Sequence, residues 1–144
     1  MKLTWLGHSG FRLEIEGATL LIDPWLTGNP VFPPEARAKA LAGATHILLT
    51  HGHGDHSADT LAIAKELGIP VVGIYDLISF WQETEGITGL GFNRGGTVDL
   101  AGARVTMVPA SHSSSSSRHM VSSPSSSAVN PTISVSENAQ GWLL

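Results

Sequence analysis

Apolar and polar positions fall into short blocks over the first 110 residues, and the blocks predict an ordered series of elements. Residues 2–6 read as a short strand. Across residues 11–16, Phe11, Leu13 and Ile15 alternate with Arg12, Glu14 and Glu16, the period of a half-buried strand. Gly17-Ala18 forms a turn, and residues 19–22 make a continuous apolar strand that stops at Asp23-Pro24. Residues 25–34 contain Gly28, Asn29 and three prolines and read as a loop. Strong helix formers follow Pro33-Pro34, so a helix is predicted over 35–42. Residues 45–50 form a buried strand. A helix over 57–67 presents Leu61, Ala64 and Leu67 on one face and is closed by Gly68, with Pro70 beyond. Residues 69–75 are another apolar strand. Asp76 is the expected N-cap of a helix over 76–84 that turns Leu77, Phe80 and Trp81 inward. A hairpin pairs 97–100 with 104–109 about Ala101-Gly102. An antiparallel meander followed by β-α-β units predicts an α/β fold, a sheet with helices on its outer face.

Composition changes this picture at one place. Residues 1–110 hold three serines and residues 111–144 hold thirteen. The serine-rich tail, 113–144, has few large apolar groups to offset the entropy of ordering, so it is expected to be largely disordered. The 144 residues suit one domain, and 42% hydrophobic content supports a core. No apolar run approaches the roughly 20 residues of a membrane helix, and His8 and Arg12 interrupt the start before a secretory signal can form. Twelve acidic against eight basic side chains give a formal charge of −4. That balance argues against nucleic acid and anionic membrane as partners. There is no cysteine, so any metal must be held by His, Asp or Glu, and the chain has seven histidines.

Four of those potential ligands are packed into Thr50-His51-Gly52-His53-Gly54-Asp55-His56, between a predicted strand and a predicted helix. Glycines at 52 and 54 free the backbone to bend. His51 and His53 can then face one cation, while Asp55 and His56 turn toward a second point nearby. The helix start favours the Asp55 carboxylate. Imidazole and carboxylate without sulfur suit zinc, manganese or iron. His46 lies within the preceding strand and reads as a packed residue; His119 sits in the serine tail.

The spacing His51-x-His53-x-Asp55-His56 resembles the signature of the metallo-β-lactamase-fold hydrolases. The stretches WLGHSGFRLE, LLIDPWLTGNP, THILLTHGHGDH and GGTVDLAGARVTMVPASHSS are similar to the subgroup of small cytoplasmic metal-dependent hydrolases related to ascorbate-6-phosphate lactonase. The likeness runs over residues 1–115. It implies an αββα sandwich, here its N-terminal half over residues 1–112, with the metal site along one edge. It further implies that His51, His53 and His112 bind the first ion, and that Asp55 and His56 belong to a second. Asp23 would orient the histidine loop, since ligating imidazoles need an acceptor for their other N–H. His8 would lie near the active site, as a substrate contact or a proton relay.

The family carries a later aspartate that bridges two metals and a final histidine. After His112 this chain has no aspartate, and only His119 among histidines. One ion is therefore favoured over two. The missing half also leaves an apolar sheet face expected to be exposed, a surface for association with a second copy. The resemblance implies a hydrolase acting on a small molecule: metal-activated water attacks an ester, lactone or phosphoester, with Asp55 orienting the water or carrying a proton. A catalytically inactive metal-binding fragment is the rival reading.

Overall fold

A computed structural model describes residues 1–15, 17–110 and 112, and the strand formed by 140–143. Six strands form one sheet, in the order β1 (Lys2–Gly7), β2 (Gly10–Ile15), β3 (Ala18–Ile22), β4 (His46–Leu48), β5 (Val71–Ile74) and β6 (Gly89–Phe92). The first three are antiparallel neighbours, and β3 through β6 are parallel. Helices fill the crossovers: α1 (Arg37–Leu41) after a 3-10 turn at Pro34–Ala36, α2 (Gly54–Ser57), α3 (Thr60–Leu67) and α4 (Tyr75–Glu85). A second, antiparallel sheet joins β7 (Thr97–Leu100), β8 (Ala103–Pro109) and β9 (Gln140–Leu143).

The period-2 pattern decides which side chains enter which layer. Leu21, Ile47, Leu49 and Val71 pack against Ala40, Leu41, Leu61, Ile63, Ala64, Ile78 and Trp81 of the helices. Their neighbours Leu13, Leu20, Leu48 and Val72 point the other way, onto Leu100, Ala103 and Val105 of the second sheet. Leu20, Leu21, Ile47, Leu48, Val71 and Val72 have no exposed surface. Each such side chain contributes about 1.5–3 kcal/mol of burial.

The expected exposed sheet face is thus covered over its centre by β7 and β8. What stays open is its margin, because three strands cannot span six. Leu3 and Trp5 on β1 are each 59% exposed, and Leu90 on β6 is 40% exposed. The tail also holds a strand the sequence does not reveal: β9 pairs with β8, Trp142 opposite Met107. The expectation of disorder over 113–139 lies outside the described residues, as does His119.

Other differences have local causes. The helix expected over 57–67 is broken into α2 and α3 at Ala58-Asp59, and Asp59 is drawn into a bond to the loop before α1. Leu67 is exposed, and Ile63 packs in its place. In α4 the N-cap is Ile74, not Asp76, and Phe80 is 41% exposed while Ile78 and Trp81 are buried. Strand β6, Gly-Leu-Gly-Phe, has no strong strand signature. Its glycines are needed because α4 lies directly on it: a Cβ at Gly89 would sit 2.4 Å from Ile78 Cγ2. The hairpin turn is as expected, with Ala101 at φ 56 and Gly102 at φ 92 between the pair Leu100 and Ala103.

Candidate metal centre

Strands β1, β3 and β4 run in the same direction, so their carboxyl ends lie along one edge of the sheet. In open sheets with parallel strands this is where sites form. His8 follows β1, Asp23 follows β3, and the loop carrying His51, His53, Asp55 and His56 follows β4. His112 arrives from the other layer, just after β8.

Three clusters result. One ligand atom each from His51, His53 and His112 lies within 4.8 Å of the others, and the same holds for His8, Asp55 and His56, and for Asp23, His51 and His56. His51 and His112 ring centroids are 4.8 Å apart, and His53 and His112 are 5.1 Å apart. All residues predicted from the sequence for the site therefore meet at one edge. His46 stands apart, partly buried with Nδ1 3.0 Å from Thr45 Oγ1, and its burial lowers its pKa.

Hydrogen bonds fix how the rings present themselves. The Thr50 hydroxyl donates to Asp23 Oδ2 at 2.6 Å. Its single proton is thereby committed, so its oxygen can only accept from His51 Nδ1, 2.8 Å away. His51 is then the Nδ1–H tautomer, with the Nε2 lone pair aimed into the cluster. Nε2 lies 3.1 Å from His53 Nδ1. Likewise His56 Nδ1 donates to Asp23 Oδ2 at 2.8 Å and leaves Nε2 free. Asp23 also accepts the Thr50 backbone N–H at 2.8 Å. This buried carboxylate, 3% exposed, serves both histidines, one directly and one through a hydroxyl.

Three residues emerge only from the structure. Thr50 has a signal in the sequence, a hydroxyl beside the first histidine. Asp59 accepts the backbone N–H groups of Leu26 and Thr27, each at 2.7 Å, and holds the loop that carries Trp25 beside His8. Asn29 is buried and bonds Leu6 and Trp25 carbonyls. Both act across the fold, so no local pattern announces them.

Backbone strain concentrates here. His8 at φ 49 and Asp23 at φ 44 are, with Ala101, the non-glycine residues of positive φ among those described. Such conformations persist only where surroundings enforce them. Trp5 Nε1 donates to the His8 carbonyl at 2.9 Å. The preceding Gly7, at φ 93, packs so closely on Asn29 that a Cβ would come within 2.7 Å of its amide.

Electrostatics keep the rings in distinct states. Burial, then the neighbouring His56, push His51 down to about 4. Burial opposes charge on His56 too, but the Asp23 hydrogen bond and charge, with Asp55, outweigh it and raise its pKa. Burial of Asp55 is outweighed by its backbone hydrogen bond and by His56 and His8, which hold it below the usual carboxylate range.

These shifts set an acid response for the metal-free chain. Unfolded, His51 takes up a proton near pH 6.5; folded, it waits until about 4. Acid therefore favours the unfolded chain across that window, by about 3 kcal/mol. His56 has the opposite sign. Its contribution is fully present below 6.5 and is lost as pH rises through its raised folded value, so it leaves the lower window unchanged. Urea unfolding at pH 6.5, 5.5 and 4.5 should show the decline, and a flat stability would refute the assignment.

The donor set fits a divalent ion. Two ligands on one tetrahedral zinc, with bonds of about 2.0–2.1 Å, stand roughly 3.4 Å apart, close to the 3.1 Å between His51 Nε2 and His53 Nδ1. Three imidazoles, one with its outer N–H already engaged, make the donor set of a nitrogen-ligated centre.

Comparisons with known proteins agree with this geometry. A family profile described as the beta-lactamase superfamily domain matches residues 2–125. A UPF0173 metal-dependent hydrolase of Paracoccus denitrificans is 76% identical over 115 residues, covering 80% of this chain and 50% of that protein. Another from Cereibacter sphaeroides is 74% identical over 117 residues, covering 81% and 51%. Igni18, a metallo hydrolase of Ignicoccus hospitalis, superposes with a TM-score of 0.69 at 33% identity, over 78% of this chain and 49% of its own. The metallo-beta-lactamase SMB-1 shares the fold, with a TM-score of 0.55 at 21% identity over 76% of this chain and 50% of its own. Fold and site together define a metallo-β-lactamase-type α/β domain. The chain belongs to the beta-lactamase superfamily, and it spans about half the length of the curated relatives it matches. Among the described residues, no helix is long and apolar enough to cross a membrane.

Proposed function

We propose that the chain carries the metal-binding half of a hydrolase that cleaves an ester, lactone or phosphoester bond of a small molecule with activated water. The observation that carries the reading is the convergence of His51, His53 and His112, from two different sheets, on one point. When bound there, a divalent ion, zinc by the preference of three imidazoles with manganese or iron as rivals, supplies Lewis acidity and draws the ionisation of water toward neutral pH.

The surrounding side chains then have separable tasks. Asp23 and Thr50 fix the ring orientations of His56 and His51. Asp55, half exposed at the mouth of the loop, is the group available to orient a water or take its proton. His8 Nε2 stands 3.0 Å from Asp55 Oδ2 and steadies that carboxylate. The reading carries a cytoplasmic setting, that of the lactonase-related subgroup the sequence resembles. A second reading is metal binding without turnover, since residues 113–144 contain no aspartate of the kind the family resemblance implies for bridging two ions.

The test is turnover of a panel of lactones, carboxylic esters and phosphodiesters by zinc- and manganese-loaded protein. Hydrolysis is expected, and both EDTA and His53→Ala should reduce it to the buffer background. Turnover indifferent to both treatments would dismiss the mechanism. Uptake of metal with no hydrolysis across the panel would favour the binding-only reading.

A further inference from the structure

We infer that the substrate of this site carries an uncharged apolar group, alkyl or aryl, beside the bond to be cleaved, and that Trp25, Trp5 and Val31 form the rim that receives it. The inference rests on the hydrolytic reading of the site and narrows its substrate class.

The loop after β3 divides its side chains between core and solvent. Leu26 and Phe32 are buried in the cluster between sheet and helices. Their neighbours Trp25 and Val31 are left more open, the first half-buried and the second 57% exposed. Trp5 on β1 is 59% exposed. All three converge on Gly7 and His8. The Trp5 indole N–H donates to the His8 carbonyl at 2.9 Å, and the Trp25 ring meets the His8 ring edge-on at 5.4 Å. Val31 packs so close to Gly7 that a Cβ there would come within 2.8 Å of its Cγ2. His8 in turn touches the histidine loop, with its ring 5.3 Å from that of His56 and its Nε2 3.0 Å from Asp55 Oδ2. The rim is therefore continuous with the metal centre. Large apolar side chains left open beside a site mark where a ligand sits.

The rim is also preformed. The Trp25 indole N–H is spent on the Thr27 carbonyl at 2.9 Å, as that of Trp5 is spent on His8. Asp59 holds the Leu26 and Thr27 amides, and the Asn29 side chain holds the Trp25 carbonyl. Folding has already ordered these rings, so binding does not have to. Neither indole N–H is left for a ligand, which meets ring and methyl surface instead.

Charge points the same way. The chain has no lysine or arginine from 3 to 11, from 13 to 36 or from 40 to 64, the stretches that supply His8, the Trp25 loop and the histidine loop. Arg12 is turned toward the helix layer, where Nη1 donates to the Ala40 carbonyl at 2.9 Å and Nε to Glu14. The charged partner that His8 meets is the Asp55 carboxylate. A phosphate or carboxylate on the non-reacting part of a substrate would be repelled there, whereas an alkyl or phenyl group gains from leaving water.

Ligand-observed NMR titration of the full chain, zinc-loaded and metal-free, with acetate, hexanoate and adipate tests this. The probes share a carboxylate and differ in chain length and terminal charge. Hexanoate should bind about 10-fold more tightly than acetate, the return of roughly two buried methylene groups, and adipate, as long but anionic at its far end, should lose that gain. Trp25→Ala should bring the hexanoate preference below about 3-fold, and Trp25→Phe should keep most of it. If Trp25→Ala does not fold, Trp5→Ala, at an exposed position, should cut the preference by about half. Equal affinity for hexanoate and acetate, adipate as the tightest of the three, or a preference that neither tryptophan variant changes would overturn the inference, even with hydrolysis intact. A preference that depends on these tryptophans in a chain that hydrolyses nothing would support the rim and count against the hydrolytic reading.

Discussion

Zinc at a thousand times its dissociation constant will raise the free energy of unfolding by about 4 kcal/mol. The stabilisation arises because the donors are assembled only by folding. His51 and His53 follow β4 of the six-stranded sheet, whereas His112 follows β8 of the other. An ion shared by them ties the two layers together at the edge of a core that is otherwise held by Leu13, Leu20, Leu48 and Val72 against Leu100 and Val105. An unfolded chain offers His51 and His53 near one another but leaves His112 distant, so it binds less tightly. Thermal melts with and without zinc should differ by about 15 °C at this length. In His53→Ala the rise should fall below about 1 kcal/mol. An equal rise in that variant would show that zinc stabilises the fold from somewhere else.

Replacing Asp23 by alanine will cost about 4 kcal/mol of stability. Asp23 accepts three hydrogen bonds, from the Thr50 amide, the Thr50 hydroxyl and His56 Nδ1, at 2.6–2.8 Å. Removal leaves three donors unsatisfied at a buried position. Breaking one partner of such a buried charged pair typically costs about 3–5 kcal/mol. Alanine also tolerates φ 44 poorly. Asp23→Asn keeps the size and the backbone preference, so it should lose about half as much. Urea unfolding of the two variants measures both values. A loss under about 1 kcal/mol for alanine would mean that Thr50 and His56 find other acceptors. The same substitution frees the Thr50 hydroxyl proton, so His51 no longer has a single enforced tautomer, and metal affinity should fall with stability.

What could be read from the sequence follows the range of the interactions involved. The strands with clear alternation, and the His51 to His56 loop, are local patterns, and they appear where expected. The hairpin turn at Ala101-Gly102 is likewise dictated by its own two residues. Strand β6 escaped because Gly89 and Gly91 answer to α4 packed on top of them and not to strand propensity. The break at Asp59 escaped because its carboxylate is claimed by Leu26 and Thr27, more than thirty residues earlier. For the site, His112 and Asp23 rested on family likeness, since nothing local marks a histidine after a strand or an aspartate at a strand end. That His8 meets Asp55, and that Thr50 relays Asp23 to His51, required the folded edge itself. The margin of exposed apolar residues at Leu3, Trp5 and Leu90 reflects the unequal widths of the two sheets, which no single strand records.

Among the described residues, every donor at that edge lies between His8 and His112 in the chain. During synthesis, a growing polypeptide therefore has all of these donors once residue 112 has been joined. An ion captured once those residues are free to fold would clamp the nascent layers in register while later residues are still being added, so that metal supply would bear on how the chain is made.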